Sequence, residues 1–288
     1  MNSEARIEEF KKQNTLAKLV KCVKGFGAYH RSYCFYTSLD RVLQMMEPKF
    51  HRLWLTRLDS GLFDDGIEHK KYGAGKERSR TYIRSFTYGI QESAAMWGLY
   101  CPCTYKAIRV NITQKGMKKL LGCGIYEVNE RENTEEKCEV DDIAVSDILY
   151  ASVEDDAHKG PRTNALYWRG NYKSLAGLKK EKNLICATGY VKDAEWRFEN
   201  ECRLLCQVPN DYGDHIAVDL PLGFFKEISF VLSPWASEKE RKDVQKQLKE
   251  CFSRVGRTVV DDSSVFRQSK LENGLQKWAK ERGFADKH

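Results

Sequence analysis

Apolar residues recur at helical spacing near the start of the chain, at Ile7, Phe10, Leu16, Leu19 and Val20. That spacing predicts helix across residues 4–24, closed by "GFGAY". "YCFYT" (33–37) predicts a strand, and Ser38 then offers an N-cap to "LDRVLQMM", whose Leu39, Val42, Leu43 and Met46 share one side. "HRLWLTRL" (51–58) and "RTYIRSFTYG" (80–89) predict strands, and Ser93 caps a short apolar helix, "AAMWGLY". "KAIRVNI" (106–112) predicts a strand and "TQKGMKKLLG" a helix that stops at Gly122. The acidic run "EVNERENTEEKCEVDD" (127–142) predicts an exposed loop, "VSDILYASV" (145–153) a strand, and residues 171–187 a helix. Three strands follow in succession, "EWRFENECRLLCQV" (195–208), "HIAVDLP" (215–221) and "FKEISFVLS" (225–233). Ser237 with Glu240 forms a capping box ahead of a long helix, "RTVV" reads as a last strand, and residues 264–283 as a last helix.

Helices and strands mix here without regular βαβ alternation, which predicts an α+β class. The expected architecture is a single compact domain over residues 29–262 with a central mixed or antiparallel sheet. Residues 1–28 form an N-terminal helical extension and residues 263–288 a C-terminal helix. With 41% apolar residues the chain can bury a sizeable core. No apolar run is long enough for a membrane span, and the N-terminus lacks a signal-peptide core, so a cytoplasmic protein with no membrane partner is expected.

Ten cysteines are scattered without zinc-type spacing, and six histidines form no HxxxH pair, so no metal is expected. "GCG" (122–124) and "GFG" (25–27) fit neither the dinucleotide-binding nor the P-loop fingerprint, and no GxSxG appears. A dehydrogenase, a P-loop kinase and a serine hydrolase of that type are disfavoured. The net charge of +7, with basic clusters at 70–80 and 179–182, suits a negatively charged partner such as a nucleotide or nucleic acid.

Three segments hold candidate chemistry. In "WRFENECRLL" (196–205), strand alternation puts Arg197, Glu199, Glu201 and Arg203 on one face and Trp196 and Phe198 on the other. Arg203 can pair with Glu201 and keep it ionised, as suits a carboxylate that binds a ribose hydroxyl or faces a developing cation. A solvated salt-bridge ladder is the commoner use of such a face. In "SFTYGIQESAAMWGLY", Ser85, Trp97 and Tyr100 offer a hydroxyl and two rings suited to a nicotinamide or a base, whereas helical periodicity makes Trp97 and Tyr100 core residues. "FDDGIE" (63–68) supplies Asp64, Asp65 and Glu68, more in keeping with a capped turn than with a cation site.

These segments, in this order, resemble the bacterial domain-of-unknown-function family twenty-nine seventy-one. "CFYTSLDRVL", "LTRLDSGLFDDGIE", "RSFTYGIQESAAMWGLY", "KDAEWRFENECRLL" and "KEISFVLSPWASEKE" carry the likeness over roughly residues 33–250. Its most specific part is the spacing of Lys192, Trp196, Glu199, Glu201 and Arg203. The departures are Asp64-Asp65-Gly66 for the family's Asn-Asp-Pro, Ser233 for a glycine, and Phe35 where a polar residue is frequent. The family's layout is in turn similar to the ADP-ribosyltransferase-like fold. That likeness implies Ser85 beside a nicotinamide-ribose, Tyr36 and Thr37 lining the pocket, and Glu201 or Glu199 stabilising an oxocarbenium-like transition state.

The expected function is therefore a NAD-using enzyme, transferring ADP-ribose or hydrolysing NAD, as a toxin or phage-defence effector. NAD is the substrate, Glu201, Glu199 and Arg203 the catalytic set, and Tyr36, Thr37, Ser85, Trp97 and Tyr100 the substrate-binding set. The alternative is a non-enzymatic module that binds nucleic acid or a nucleotide signal, motivated by the charge and the basic loop. A metal-dependent nuclease on Asp64, Asp65, Glu199 and Glu201 would need those carboxylates to converge.

Overall fold

The structure, a computed structural model, describes residues 3–47, 51–60, 75–89, 91–101, 104–129, 134–152, 165–179, 185–259 and 262–271. The N-terminal helical pattern breaks at Thr15 into α1 (Ser3–Lys12) and α2 (Leu16–Val23), with the Thr15 hydroxyl accepting from Lys18 N. Strand β1 (Ser32–Ser38) runs into α3 (Leu39–Met45), capped by Ser38. β2 (Arg52–Arg57), α4 (Gly75–Arg78) and β3 (Thr81–Tyr88) follow. Next come α5 (Ala94–Tyr100), capped by Ser93, then β4 (Ala107–Thr113) and α6 (Gln114–Leu120), capped by Thr113. Each of these caps fills an N–H that the first helical turn leaves open, which is why the Ser and Thr signals locate the helix starts.

The acidic run expected to be a loop instead forms a hairpin, β5 (Ile125–Asn129) with β6 (Thr134–Lys137), in which Tyr126 faces Lys137. Backbone pairing carries it, and β6 keeps all its side chains in water, so its polar composition hid a strand. The strand expected at 145–153 is two strands, β7 (Asp142–Asp147) and β8 (Leu149–Ser152). β9 (Ala165–Trp168) and β10 (Asn171–Ser174) come next. The helix expected at 171–187 is absent among its described residues, which form β10 and the 3-10 turns Leu175–Gly177 and Ile185–Ala187.

β11 (Val191–Asp193), a 3-10 segment at Ala194–Glu199, β12 (Glu201–Gln207), β13 (His215–Asp219) and β14 (Ile228–Leu232) lead to α7 (Glu238–Arg254). The Ser237–Glu240 capping box forms at its start. α8 (Asp262–Val265) and β15 (Phe266–Gln268) complete the described elements. The last strand is thus β15 and not "RTVV", whose described residues have no regular structure, and residues 272–283 of the expected last helix lie outside the described residues. The class is mixed α+β. No helix among the described residues is long and apolar enough to cross a membrane.

The chain forms two compact units, each drawn from three stretches of sequence. The first takes Met1–Tyr29, Trp54–Phe86 and Gly124–Ala217. In it β12 pairs with β3 and, antiparallel, with β7, setting Cys202 opposite Asp147. A separate four-stranded sheet runs β10-β9-β8-β11, antiparallel except for β11, which lies parallel to β8. One face of that sheet supplies Leu149, Ala151, Leu166, Trp168 and Val191 to a core shared with Phe10, Leu16, Leu19, Val20 and Phe26. Trp168 is its centre, edge-on to Phe10 at 5.4 Å and to Phe26 at 5.2 Å.

The second unit takes His30–Leu53, Thr87–Cys123 and Val218–His288. Its strands run β15-β14-β4-β1, with β1 and β14 antiparallel to β4 and β15 parallel to β14. Cys34, Tyr36, Met96, Trp97 and Val231 form one buried cluster there. Phe252 of α7 packs against Phe230 and Phe266.

Gly27 has no room for a side chain. A Cβ there would stand 2.9 Å from the backbone of Ser146 and Val145, which cannot swing aside as a flexible side chain can. Gly27→Ala is expected to destabilise the fold by about 1–3 kcal/mol, the usual cost of forced overpacking. A urea unfolding midpoint unchanged from that of the parent protein would contradict the close approach.

Candidate functional site

The segment "WRFENECRLL" is not one strand. Residues Ala194–Glu199 coil into a 3-10 segment begun by Asp193, whose side chain accepts from Glu195 N. Asn200 then turns the backbone into the left-handed region, φ 45 and ψ 54, a conformation Asn tolerates better than most residues. Only Glu201 onward is extended, as β12. The expected four-charge strand face and its aromatic back therefore do not exist. Phe198 is 42% exposed, Arg197 is exposed, and Glu199, Glu201 and Arg203 are buried.

The carboxylates meet as a buried network in the first unit. Glu201, 2% exposed, accepts from Arg203 Nε at 2.7 Å and from the Ser85 hydroxyl on Oε1. Its Oε2 accepts from Lys192 Nζ at 3.1 Å and from Arg203 Nη2 at 3.4 Å. Lys192 also donates to Glu199 Oε2 at 2.6 Å, and Arg203 donates through Nη1 to the Gly189 carbonyl at 3.0 Å. The Glu201 backbone N–H donates to the Tyr150 hydroxyl at 2.8 Å. Two acids and two bases thus neutralise each other, as buried charges require.

The electrostatics follow from that packing. Burial by itself would raise the Glu201 carboxyl, but the Arg203 and Lys192 charges and the Arg203 and Ser85 hydrogen bonds outweigh it and hold the group well below the usual carboxylate range. For Lys192 burial pulls the ammonium down, and the Glu201 and Glu199 carboxylates, against the repulsion of Arg203, leave it raised. Glu201 is a permanently ionised group at neutral pH, suited to holding a cation or a hydroxyl in place and unsuited to delivering a proton.

Of the residues expected in the site, Glu201, Glu199, Arg203 and Ser85 come together. Lys192, known from the sequence only as a point of family spacing, is the second cation of the network. Its ammonium also lies 4.9 Å from the Trp196 ring centre, so the Lys192–Trp196 spacing was the available signal. Tyr150 gave no signal, because it reaches Glu201 through the pairing of β12 with β7, which runs on into β8, some fifty residues away in the chain.

The other expected residues belong to the second unit. Tyr36 is buried, with its hydroxyl accepting from Ser93 N and its ring edge-on to Trp97 at 4.9 Å. Burial pushes the Tyr36 hydroxyl up to about 12, so it is a neutral group at physiological pH. The Thr37 carbonyl accepts from Cys101 Sγ at 3.3 Å. Trp97 is fully buried and its indole N–H donates to Glu92 at 3.2 Å, the place of a core side chain. Tyr100 is exposed on α5. Asp64, Asp65 and Glu68, and residues 70–74 of the basic loop expected at 70–80, lie outside the described residues, and Gly75–Arg78 of that loop form α4. Among the described residues no group of three His, Cys, Asp or Glu side chains is placed to hold a metal ion. Comparison with family models, with curated proteins and with solved structures finds no match to the chain.

The network sets the pH range of stability. Glu201, lowered in the folded state, stabilises the protein above its unfolded value of about 4.3 and loses that contribution as pH falls through the folded value. Lys192, raised in the folded state, contributes fully below its unfolded value of about 10.4 and loses the contribution as pH rises through the folded value. Denaturant midpoints are expected to form a plateau from about pH 5 to pH 9, falling on both sides. A maximum below pH 4 would show that Glu201 is not held as its charge. Arg203→Met leaves a buried carboxylate short of its partner and is expected to cost about 3–5 kcal/mol in the same measurement.

Proposed function

We propose that the chain is a NAD-consuming enzyme of the ADP-ribosyltransferase-like kind, breaking the bond between nicotinamide and ribose and passing ADP-ribose to an acceptor or to water. The observation that carries this reading is the Ser85–Glu201 hydrogen bond on a carboxylate kept ionised by Arg203 and Lys192. As nicotinamide leaves with the bonding electrons, positive charge grows on the ribose, and a fixed carboxylate stabilises that charge with no proton to transfer. Glu201 is the first working group in this reading and Glu199, across Asn200, the second. Arg203 and Lys192 hold the carboxylates ionised, and Ser85 orients Glu201. The spacing of Lys192, Trp196, Glu199, Glu201 and Arg203, which resembles the bacterial family named above, supports the same assignment.

The test is release of free nicotinamide from NAD, followed by chromatography, with and without bacterial extract as a source of acceptor. The parent protein is expected to release nicotinamide, Glu201→Gln to lose the activity by at least about a hundredfold, as removal of an electrostatic stabiliser does, and Ser85→Ala to lose less. Thermal melts of both variants separate loss of chemistry from loss of fold. Failure of the folded parent protein to consume NAD under either condition overturns the proposal.

A further inference from the structure

The carboxylate that the proposed chemistry needs is shut away from its substrate. Glu201 is 2% exposed and Glu199 3%. A ribose cannot touch a carboxylate covered in that way, so some part of the cover has to move. The side chains around Glu201 come from elements of two kinds. Ser85, Tyr150, Lys192 and Arg203 stand on β3, β8, β11 and β12, and each of these strands is paired in a sheet. Glu199 stands on the 3-10 segment Ala194–Glu199, which packs against β8 and β11 and belongs to neither sheet.

That segment has the build of a piece that swings as a whole. It lies between Asp193, in extended backbone, and left-handed Asn200. Hydrogen bonds at both ends close on the segment itself. The Glu195 N–H donates to the Asp193 side chain, Arg197 Nε to the Ala194 carbonyl, and the Asn200 N–H to the Arg197 carbonyl. These bonds can persist while the segment moves. Glu195, Arg197, Phe198 and Asn200 face water, and Glu199 is its one buried residue. On the inside it bears on a single cation. Lys192 donates to Glu199 Oε2 at 2.6 Å and lies 4.9 Å from the Trp196 ring centre, while Arg197 rests 4.7 Å over Tyr167 of β9. Withdrawing Glu199 strands no buried charge, because the carboxylate regains water and Lys192 keeps Glu201 at 3.1 Å.

We propose that the 3-10 segment is a strap over the site, latched by Glu199 and Trp196 on Lys192, and that substrate enters when it swings out about Asp193 and Asn200. The proposal rests on the reading of Glu201 as the working carboxylate. In the closed form Glu199 is the latch, and it covers the group that does the chemistry. The opened site keeps Arg203 and Lys192 against Glu201, an excess of positive charge that suits a substrate carrying a diphosphate. The strands behind the site stay in place, so the carboxylate is ionised and oriented in both forms, and only access changes.

Labelling of lysines in the full folded chain with an amine-acylating reagent, followed by peptide mass spectrometry, tests the strap without NAD. Lys192, with its side chain 12% exposed, is expected to label measurably but more slowly than Lys242, 73% exposed. Trp196→Leu and Arg197→Ala each remove one cation–π contact of the strap and are expected to speed Lys192 labelling by about fivefold. Arg197 rests on Tyr167, so its variant reports opening and not a change in the ammonium itself. Alkylation of buried Cys206 on β12 is expected to stay slow in the same samples, which separates opening from unfolding. Where NAD is consumed, both variants are expected to raise kcat/KM by the same factor, because a larger share of the protein is open. Lys192 labelling that neither variant speeds, Cys206 alkylation that rises in step with it, or faster labelling with kcat/KM unchanged would each overturn the strap as the gate. Faster Lys192 labelling in a protein that never consumes NAD leaves the strap standing and overturns only the chemistry assigned to Glu201.

Discussion

Burying Glu201 is the constraint around which much of the first unit is arranged. A carboxylate removed from water needs compensating charge and donors, and three elements supply them, β3 through Ser85, β11 through Lys192 and β12 through Arg203, while the Tyr150 hydroxyl of β8 accepts from the Glu201 backbone N–H. The left-handed Asn200 lets Glu199 and Glu201 reach the same ammonium from two different elements. None of these groups can be removed singly without leaving another buried charge or polar group short of a partner. The same economy keeps the carboxylate ionised and fixed in place, which is what the proposed chemistry asks of it.

The four-stranded sheet shows how one element serves two purposes. Its one face is a core of small and branched residues around Trp168, closed by the N-terminal helices. Its other face runs from the buried network through Tyr150 and Tyr167 out to Tyr172. Strand alternation separates the two sets, so changes on the tyrosine face leave the Trp168 core unaltered.

Where the sequence misled, the reason is local. The 3-10 segment at Ala194–Glu199 alternates charge and aromatic as a strand would, and no residue before Asn200 breaks that pattern. The β5–β6 hairpin has the composition of a loop because nothing on β6 is buried. The N-terminal helical pattern was legible, but the Thr15 cap that divides it was not read, and its role in closing a sheet core depends on strands more than a hundred residues away in the chain. Trp97 was readable either as a stacking ring or as core, and its full burial with an indole hydrogen bond to Glu92 fits the second.

Local rules in the sequence determined the helix starts at Ser38, Ser93, Thr113 and Ser237, most of the strands that bury one face, the α+β class, and the pairing of Glu201 with Arg203 two residues on. These depend on neighbours within a few positions, where capping and alternation operate. Tertiary structure alone decided that the charged residues of "WRFENECRLL" are buried, that Lys192 and Tyr150 join them, and that Phe198 faces water. Burial of a charge is set by partners that arrive from distant strands, and spacing within one segment carries no information about them.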